Sequence, residues 1–143
     1  EPGEPASGPP VLAAPDTERA RLAVARGRWA EEGPADYAVT VERVCFCPPE
    51  WRGPVRVSVR GGTVFERTYL DDLRAVPDDR TDLFPGIEGI FGFIDEALAE
   101  NPARIDVEYD PVNGRPIRVW VDYDERMADE ERGFTTSDLT PGT

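Results

Sequence analysis

The stretch that decides the fold is a hairpin pattern over residues 55–70. It reads Val55-Arg56-Val57-Ser58-Val59-Arg60-Gly61-Gly62-Thr63-Val64-Phe65-Glu66-Arg67-Thr68-Tyr69-Leu70. The valines alternate with polar residues, which is the period of a strand with one buried face. Gly61 and Gly62 can adopt the positive φ angles of a tight turn, so the chain is predicted to reverse there and pair with itself. The predicted fold is therefore built on an antiparallel sheet.

The same alternation occurs on both sides of this hairpin. Residues 37–42 carry Tyr or Val at every second position, and residues 105–109 and 117–123 carry Ile, Val or Tyr at every second position on either side of the turn Pro111-Val112-Asn113-Gly114. The last two stretches predict a second hairpin, because the turn residues favour chain reversal. Residues 133–139 are rich in Thr, a composition that permits a short edge strand.

A first helix is predicted over about residues 17–32. It begins after the capping carboxylate of Asp16 and ends at Gly33-Pro34, because Pro cannot continue the hydrogen-bond ladder. Its buried face comprises Leu22, Ala25 and Trp29, with Trp29 as the anchor in the core.

A second helix has the strongest helical period in the chain and ends at Asn101-Pro102. Its apolar stripe comprises Ile87, Ile90, Phe91, Ile94 and Leu98. We expect this stripe to pack against the sheet residues Val57, Val107 and Val119. Gly89 and Gly92 are costly in a helix interior, so they indicate close approach of the helix to the sheet, which is the favoured interpretation, or weak local selection for helix formers.

The order of elements is helix, three strands, helix, then two or three strands, with connections that favour antiparallel pairing. The predicted fold class is α+β: one two-layer domain over residues 16–143, with an antiparallel sheet of five to six strands and two helices, in the order α-β-β-β-α-β-β-β. Residues 71–85 are acidic and sparsely apolar, which predicts a connecting loop. Residues 1–15 contain five prolines and little apolar surface, which predicts a disordered tether.

Charge and composition exclude several classes of function. The 143 residues include 29 Asp and Glu against 16 basic residues, for a net charge of −13. This excess repels the phosphates of nucleic acids and anionic membranes, so neither is an expected partner. Every basic residue is Arg and there is no His, which excludes imidazole catalysis. No apolar run is long enough for a transmembrane segment; no cofactor is expected, and the chain is expected to be a monomer.

Cys45 and Cys47 are the most informative local feature, because paired thiols serve as disulfides, redox pairs or metal ligands. Residues i and i+2 of a regular strand hold their Cβ atoms about 6–7 Å apart, whereas a disulfide needs about 3.5–4.5 Å. A bridge therefore requires the strand to end here with a turn at Phe46, and Pro48-Pro49 favours such a break. Free packed thiols, a redox-active pair and a metal site are the alternatives.

Clustered carboxylates suggest two further chemistries. Asp122, Asp124 and Asp129 carry the oxygen ligands that Ca²⁺ prefers. An EF-hand loop starting at Asp122 would place Arg126 at position 5 and Met127 at the glycine position. A solvated acidic loop is therefore the stronger interpretation, and no metal site is assigned. A hydrolase with two carboxylates needs only a suitable separation in a cleft, but 29 acids offer many pairs, so no catalytic residue is assigned.

Candidates for a binding surface come from the outward positions of the two hairpins. They are Arg56, Arg60, Arg118 and Trp120. Trp and Arg are common anchors of interfaces, because they stack and form bidentate hydrogen bonds. The alternative is that Trp120 is covered by the first helix or the N-terminal tail, or held between Arg stems.

Several of these residues belong to an ordered set of motifs over residues 28–141. The motifs are Trp29 with Tyr37, Cys45-x-Cys47-Pro48-Pro49, Gly53-Pro54-Val55-x-Val57-x-Val59, Leu83-Phe84-Pro85 to Phe91, Tyr109-Asp110-Pro111-x-x-Gly114-x-Pro116, Val121-Asp122-Tyr123 and Asp129-Glu130-Glu131. This set resembles a bacterial family catalogued as domain of unknown function 6174. Members are typically exported proteins or lipoproteins, so the resemblance implies an extracytoplasmic location, secreted or membrane-anchored. In such a compartment the Cys45–Cys47 disulfide is the favoured state.

The resemblance supplies a compartment and no activity, since the family has no assigned catalytic residues. Such proteins usually begin with an export signal that ends in a lipid-acceptor Cys. The sequence shows neither, so we expect a mature or trimmed chain, with a lipid anchor upstream left open. The sequence thus favours a noncatalytic extracytoplasmic module that binds a protein or envelope component. The alternative is a small secreted hydrolase or redox protein that uses carboxylates or the Cys45/Cys47 pair.

Overall fold

The alternating stretches form strands and the apolar stripes form helices in the computed structural model, which describes residues 15–124, 126 and 131–142. The helices are α1 (Pro15–Glu32) and α2 (Ile87–Ala99), and two short 3₁₀ helices cover Pro49–Trp51 and Asp78–Leu83. The strands are β1 (Tyr37–Val44), β2 (Val55–Arg60), β3 (Thr63–Tyr69), β4 (Arg104–Tyr109), β5 (Pro116–Asp122) and β6 (Glu131–Pro141). The predicted α+β class and its order of elements are confirmed.

One antiparallel sheet joins all six strands, in the order β3-β2-β1-β6-β5-β4. Both predicted hairpins are present, as β2 with β3 and as β4 with β5. Strand β6 lies between β1 and β5, in the middle of the sheet. The strand that the composition of residues 133–139 permits is present within β6. Its expected position at the edge of the sheet was wrong, because local composition does not reveal a partner strand from the other end of the chain.

Both helices pack on one face of the sheet and share a core with it. The predicted helix residues Ile90, Phe91 and Ile94 are buried, and so are the predicted sheet residues Val57, Val107 and Val119. The connecting segment 71–85 is more ordered than its composition indicates. Its residues Val76 and Phe84 enter the same core, and Ala75 bridges to Thr68 of β3.

A cluster of polar contacts joins α1, β1 and α2. Trp29 is buried and meets Tyr37 edge to face, with ring centres 5.3 Å apart. Trp29 Nε1 and Tyr37 OH donate hydrogen bonds of 2.9 and 2.7 Å to the two carboxylate oxygens of Glu88. The backbone N–H of Ile87 donates to Tyr37 OH at 2.9 Å, so the hydroxyl satisfies a free N–H at the start of α2. Burial and the hydrogen bond to Glu88 raise the pKa of Tyr37 well above its usual range.

The start of α1 differs from the prediction. The helix begins at Pro15, and Asp16 lies in its first turn rather than at a capping position. Pro is favoured at the first helical position because its missing N–H would have no partner there. The Asp16 carboxylate lies 3.4 Å from Arg19 Nη1. Residues 1–14, most of the predicted tether, lie outside the described residues.

The two glycines of α2 do not bring the helix against the sheet, so that prediction was wrong. A Cβ atom at Gly92 would meet nothing within 4 Å, whereas one at Gly89 would lie 2.6 Å from Cβ of Pro85. Gly92 therefore has open space, and Gly89 lies against the segment that leads into the helix.

Gly92→Ala is expected to raise the free energy of unfolding by about 0.5–1 kcal/mol, because Ala restricts the unfolded chain and favours helix without a clash. Gly89→Ala raises the helix propensity by the same amount, but its new methyl group would clash with the side chain of Pro85. Its stabilisation should therefore be smaller or absent. Urea titration of both variants checks this difference. Equal stabilisation by the two substitutions would contradict the contact between Gly89 and Pro85.

Candidate functional site

The face of the sheet opposite the two helices, called here the far face, carries the aromatic residue Trp120. Along β5 the residues Val119 and Val121 are buried on the helix side, and Arg118 and Trp120 alternate with them. Arg118 is exposed and Trp120 is half-buried. Helix α1 packs on the opposite face, so it does not cover Trp120.

Two rows of paired residues cross four neighbouring strands on the far face. Directly paired residues of antiparallel strands project to the same side of a sheet. The first row is Val44, Gly133, Trp120 and Asp106, on β1, β6, β5 and β4 in that order. The second row, on the same strands, is Glu42, Thr135, Arg118 and Glu108.

Gly133 is the member of the first row that has no side chain, and it is buried. Neighbouring strands lie about 4.8 Å apart, so Val44 and Trp120 face each other across about 10 Å with no side chain between them in the row. A Cβ atom at Gly133 would overlap the carbonyl oxygen of Val119, so the close approach of β5 and β6 requires glycine here. An open depression of about 430 Å³ beside Trp120 is lined by Val44, Arg104, Asp106, Arg118, Val119 and Trp120.

Charged groups of both signs surround the Trp120 ring. The guanidinium carbon of Arg104 lies 5.4 Å from the ring centre, and Arg104 Nη2 lies 3.7 Å from Asp106 Oδ2. Arg118 Nη2 lies 4.0 Å from Glu108 Oε1. These side chains are 39–65% exposed, and such long, solvated ion pairs contribute about 0–1 kcal/mol. Each charged group can therefore leave the side chain with which it is paired and bind a ligand at little cost in free energy.

A disulfide joins Cys45 and Cys47 at the end of β1, with Cα atoms 5.4 Å apart. The chain turns at Phe46, whose side chain is 74% exposed, so the predicted bridge and turn are confirmed. The turn borders a second depression of about 470 Å³ that shares Val44 with the first. It is lined by Glu42, Arg43, Val44, Cys45, Pro49, Arg52, Gly53 and Thr135. Glu42 is the carboxylate that lines it beside Cys45.

Alkylation without reductant is expected to add no alkyl group to the folded, aerobically purified protein, as measured by intact mass. Reduction should lower the melting temperature only slightly. A loop this small removes little unfolded-state entropy, so its stabilisation falls well below the roughly 3 kcal/mol of a 15-residue loop. Two alkyl additions before reduction would contradict the bridge, and global unfolding after reduction would contradict its local role.

The structure places Arg56 and Arg60 away from Trp120. Arg56 donates hydrogen bonds to Thr40 Oγ1, to the Asp138 carbonyl and to Thr140 Oγ1, at 3.0, 2.6 and 2.7 Å. It thereby ties β2 to β1 and β6. The guanidinium of Arg60 lies 4.3 Å from the ring centre of Phe65, at the tip of the first hairpin. Of the four predicted surface residues, Arg118 and Trp120 are thus the two that share a site.

The weak calcium candidates serve local turns where the structure describes them. Asp122 is buried, and its Oδ1 accepts the Asp124 N–H at 3.1 Å. Hydrogen bonds from the side chain and backbone N–H of Arg126 hold the pKa of Asp124 below its usual value. Asp129 lies outside the described residues. Within residues 15–124, 126 and 131–142, no group of three or more Cys, Asp or Glu is arranged to hold a metal ion.

Comparison with known protein families shows which family the chain belongs to. A family model described as a family of unknown function, DUF6174, matches residues 21–141. The chain belongs to this family. The resemblance inferred from the ordered motifs is thereby confirmed. No curated protein and no solved structure matches the chain.

In this DUF6174 chain the Tyr109-to-Pro116 motif builds a turn on α1 rather than part of the far-face depression. Asp110 Oδ1 accepts the N–H groups of Val112 and Asn113, at 2.8 and 3.2 Å. Gly114 has a φ angle of 82°, and a Cβ atom there would overlap the carbonyl oxygen of Ala25 on α1. The residues of this motif therefore have a structural role, which explains their presence without a ligand. In the described part of the chain, neither helix is long and apolar enough to cross a bilayer.

Sequence reasoning missed two residues that line the depression of this DUF6174 chain, Val44 and Arg104, and also Gly133, which pairs with Trp120. Arg104 directly precedes the alternating stretch 105–109. Because side chains two residues apart on a strand lie on the same face, the sequence could have placed Arg104 on the same face as Asp106. Gly133 carried a clearer signal, since an isolated Gly at a strand position indicates close backbone approach. Val44 could be placed beside Trp120 only once the pairing of β1 with β6 was known.

Proposed function

We propose that this chain is a noncatalytic binding module that acts outside the cytoplasm, secreted or held at the cell envelope, and that the far face around Trp120 contacts a protein or envelope component. The observation that carries the proposal is the depression between Val44 and Trp120. It combines an aromatic wall with exposed charged groups that can change partners. Small-molecule sites commonly combine an apolar wall with a few polar groups in a concavity of this volume.

The Cys45–Cys47 disulfide supports the proposed compartment. Disulfides persist in oxidising environments and are rare in the cytoplasm. This bridge closes a small loop and adds little stability, so we read it as fixing the rim of the site. A tether through the N-terminal Pro-rich segment would leave the far face free to meet a partner.

The alternative, a small secreted hydrolase or redox protein, has weaker support. A depression of about 200 Å³ brings Glu50, Asp71 and Asp72 together, next to Arg74. Hydrogen bonds from the backbone and guanidinium of Arg74 lower the pKa of Asp72. A carboxyl that acts as general acid near neutral pH needs a raised pKa instead, so this group favours ion pairing over acid catalysis.

Two measurements test the proposed function. Fractionation of bacteria that express the protein from its complete gene should place it outside the cytoplasm, and a purely cytoplasmic protein would contradict the proposal. The purified 143-residue chain should also sediment with washed cell envelopes. Trp120→Ala should abolish most of that sedimentation, whereas Trp51→Ala, an exposed Trp outside the depression, should not. Equal sedimentation of both variants would show that the far face does not contact the envelope component.

A further inference from the structure

We infer that the far-face depression binds a singly charged oxyanion, a carboxylate or a phosphodiester, through Arg104 and Arg118. This inference rests on the proposed function and names the chemical group by which the partner is recognised. Three observations carry it: the charges in the lining, the length of the ion pairs that the two Arg make, and the position of Arg104 over Trp120.

The lining of the depression carries more positive than negative charge, in contrast to the whole chain. Its charged members are Arg104, Arg118 and Asp106, so two guanidiniums against one carboxylate leave an excess of one positive charge. The chain as a whole carries a net charge of −13. A singly charged anion would neutralise the local excess, whereas a doubly charged anion would exceed it. Repulsion by more distant acids is largely screened beyond about 8 Å at physiological ionic strength.

The adjoining depression repeats this pattern of charge. It shares Val44 with the first, and its charged lining residues are Arg43, Arg52 and Glu42. Together the two linings hold four Arg and two carboxylates, whereas the chain has 16 basic and 29 acidic residues. The concave surface around Val44 is therefore rich in guanidinium groups, although the chain is acidic.

The ion pairs of Arg104 and Arg118 are too long to be hydrogen bonds, which span about 2.7–3.2 Å between N and O. Arg104 Nη2 lies 3.7 Å from Asp106 Oδ2, and Arg118 Nη2 lies 4.0 Å from Glu108 Oε1. Nε of Arg104 has no hydrogen-bond partner among the described residues. Arg56, by contrast, donates to three oxygen atoms of neighbouring strands. The two guanidiniums of the depression therefore retain donors for the oxygens of a ligand.

Trp120 positions Arg104 for such a ligand. The guanidinium carbon lies over the ring, 5.4 Å from its centre, and the ring attracts the cation. The N–H donors of a guanidinium lie in one plane, so they stay available when the group packs on an aromatic ring. A carboxylate or phosphate group can accept two parallel hydrogen bonds from this fork of donors. Val44 is 37% exposed and supplies an apolar wall for the body of the ligand.

NMR titration of the whole 143-residue chain with matched small probes tests the inference. The probes are N-acetyl-leucine, its uncharged amide, and dibenzyl phosphate, which is a singly charged phosphodiester. We expect saturable binding of N-acetyl-leucine, of dibenzyl phosphate or of both, and no binding of the amide. The anion that binds identifies the source as a carboxylate or a phosphodiester. Binding should weaken as the salt concentration rises, because it depends on charge.

Substitutions of opposite charge should change the affinity in opposite directions. Arg118→Ala should weaken binding at least about tenfold, whereas Arg60→Ala removes the same charge at the tip of the first hairpin and should bind as wild type. Asp106→Asn should bind about two- to fivefold more tightly, because it removes the carboxylate that competes for Arg104. Asp16→Asn, at a 98% exposed side chain of α1, is its control and should leave the affinity unchanged. Circular dichroism checks that each variant is folded, as expected for exposed side chains.

Several outcomes would overturn the inference. They are equal binding of N-acetyl-leucine and its amide, no binding of either anion, binding that Arg118→Ala leaves unchanged, and stronger binding of sulfate, a doubly charged oxyanion, than of either singly charged probe. Envelope sedimentation that depends on Trp120 but not on Arg118 would also overturn it, and would leave the proposed function standing. Arg118-dependent binding of an anion without sedimentation would retain the oxyanion site and remove the proposed contact with the envelope.

Discussion

Phe91→Ala is expected to lower the free energy of unfolding by about 3–5 kcal/mol. Phe91 is 2% exposed and belongs to the core that the helices share with the sheet. Its ring stacks on Tyr109 of β4, with centres 6.5 Å apart, and Arg26 of α1 lies 5.8 Å from its centre. Truncation would therefore leave a cavity bordered by three elements, which the fixed sheet cannot close by small shifts.

Phe46→Ala is the matched control for this prediction, because the same side chain is removed from a 74% exposed position. Its effect should stay within about 0.5 kcal/mol. Urea titration monitored by circular dichroism measures both variants under the same conditions. A loss below about 1 kcal/mol for Phe91→Ala would show that α2 does not pack as described.

Gly133→Ala should cost about 3 kcal/mol of stability, although it adds a single methyl group. The new Cβ would overlap the carbonyl oxygen of Val119, which belongs to the neighbouring strand. Strands β5 and β6 must then move apart, and β6 holds both halves of the sheet together through its second neighbour, β1. The same displacement would fill or distort the far-face depression beside Trp120.

Gly92→Ala, which should stabilise the protein, is the control for this substitution. Thermal unfolding of the two variants should thus show changes of opposite sign. For Gly133→Ala, amide exchange should also be accelerated in β5 and β6 and less affected in β3, at the edge of the sheet. Unchanged stability of this variant would mean that the pairing of Trp120 with Gly133 is wrong, and the depression with it.

Local patterns determined most of the elements. The alternation of Val55, Val57 and Val59 required a strand, and the stripe through Phe91 required a helix, because each period places apolar side chains on one face. A turn at Phe46 was required only if Cys45 and Cys47 form a bridge, because a regular strand would hold their Cβ atoms too far apart. In the same way, alternation placed Arg118 and Trp120 on the side of β5 that faces away from the core.

Tertiary structure alone decided which strands became neighbours, and with them the site. Strand β6 has a weak local signal, yet it occupies the middle of the sheet because it pairs along most of the length of β1. That pairing carries Val44 to one side of Gly133 and Trp120 to the other. No periodicity in the sequence encodes it, since alternation specifies the face of a residue and not the strand beside it. The sequence determined the elements and their buried faces; long-range pairing determined the depression.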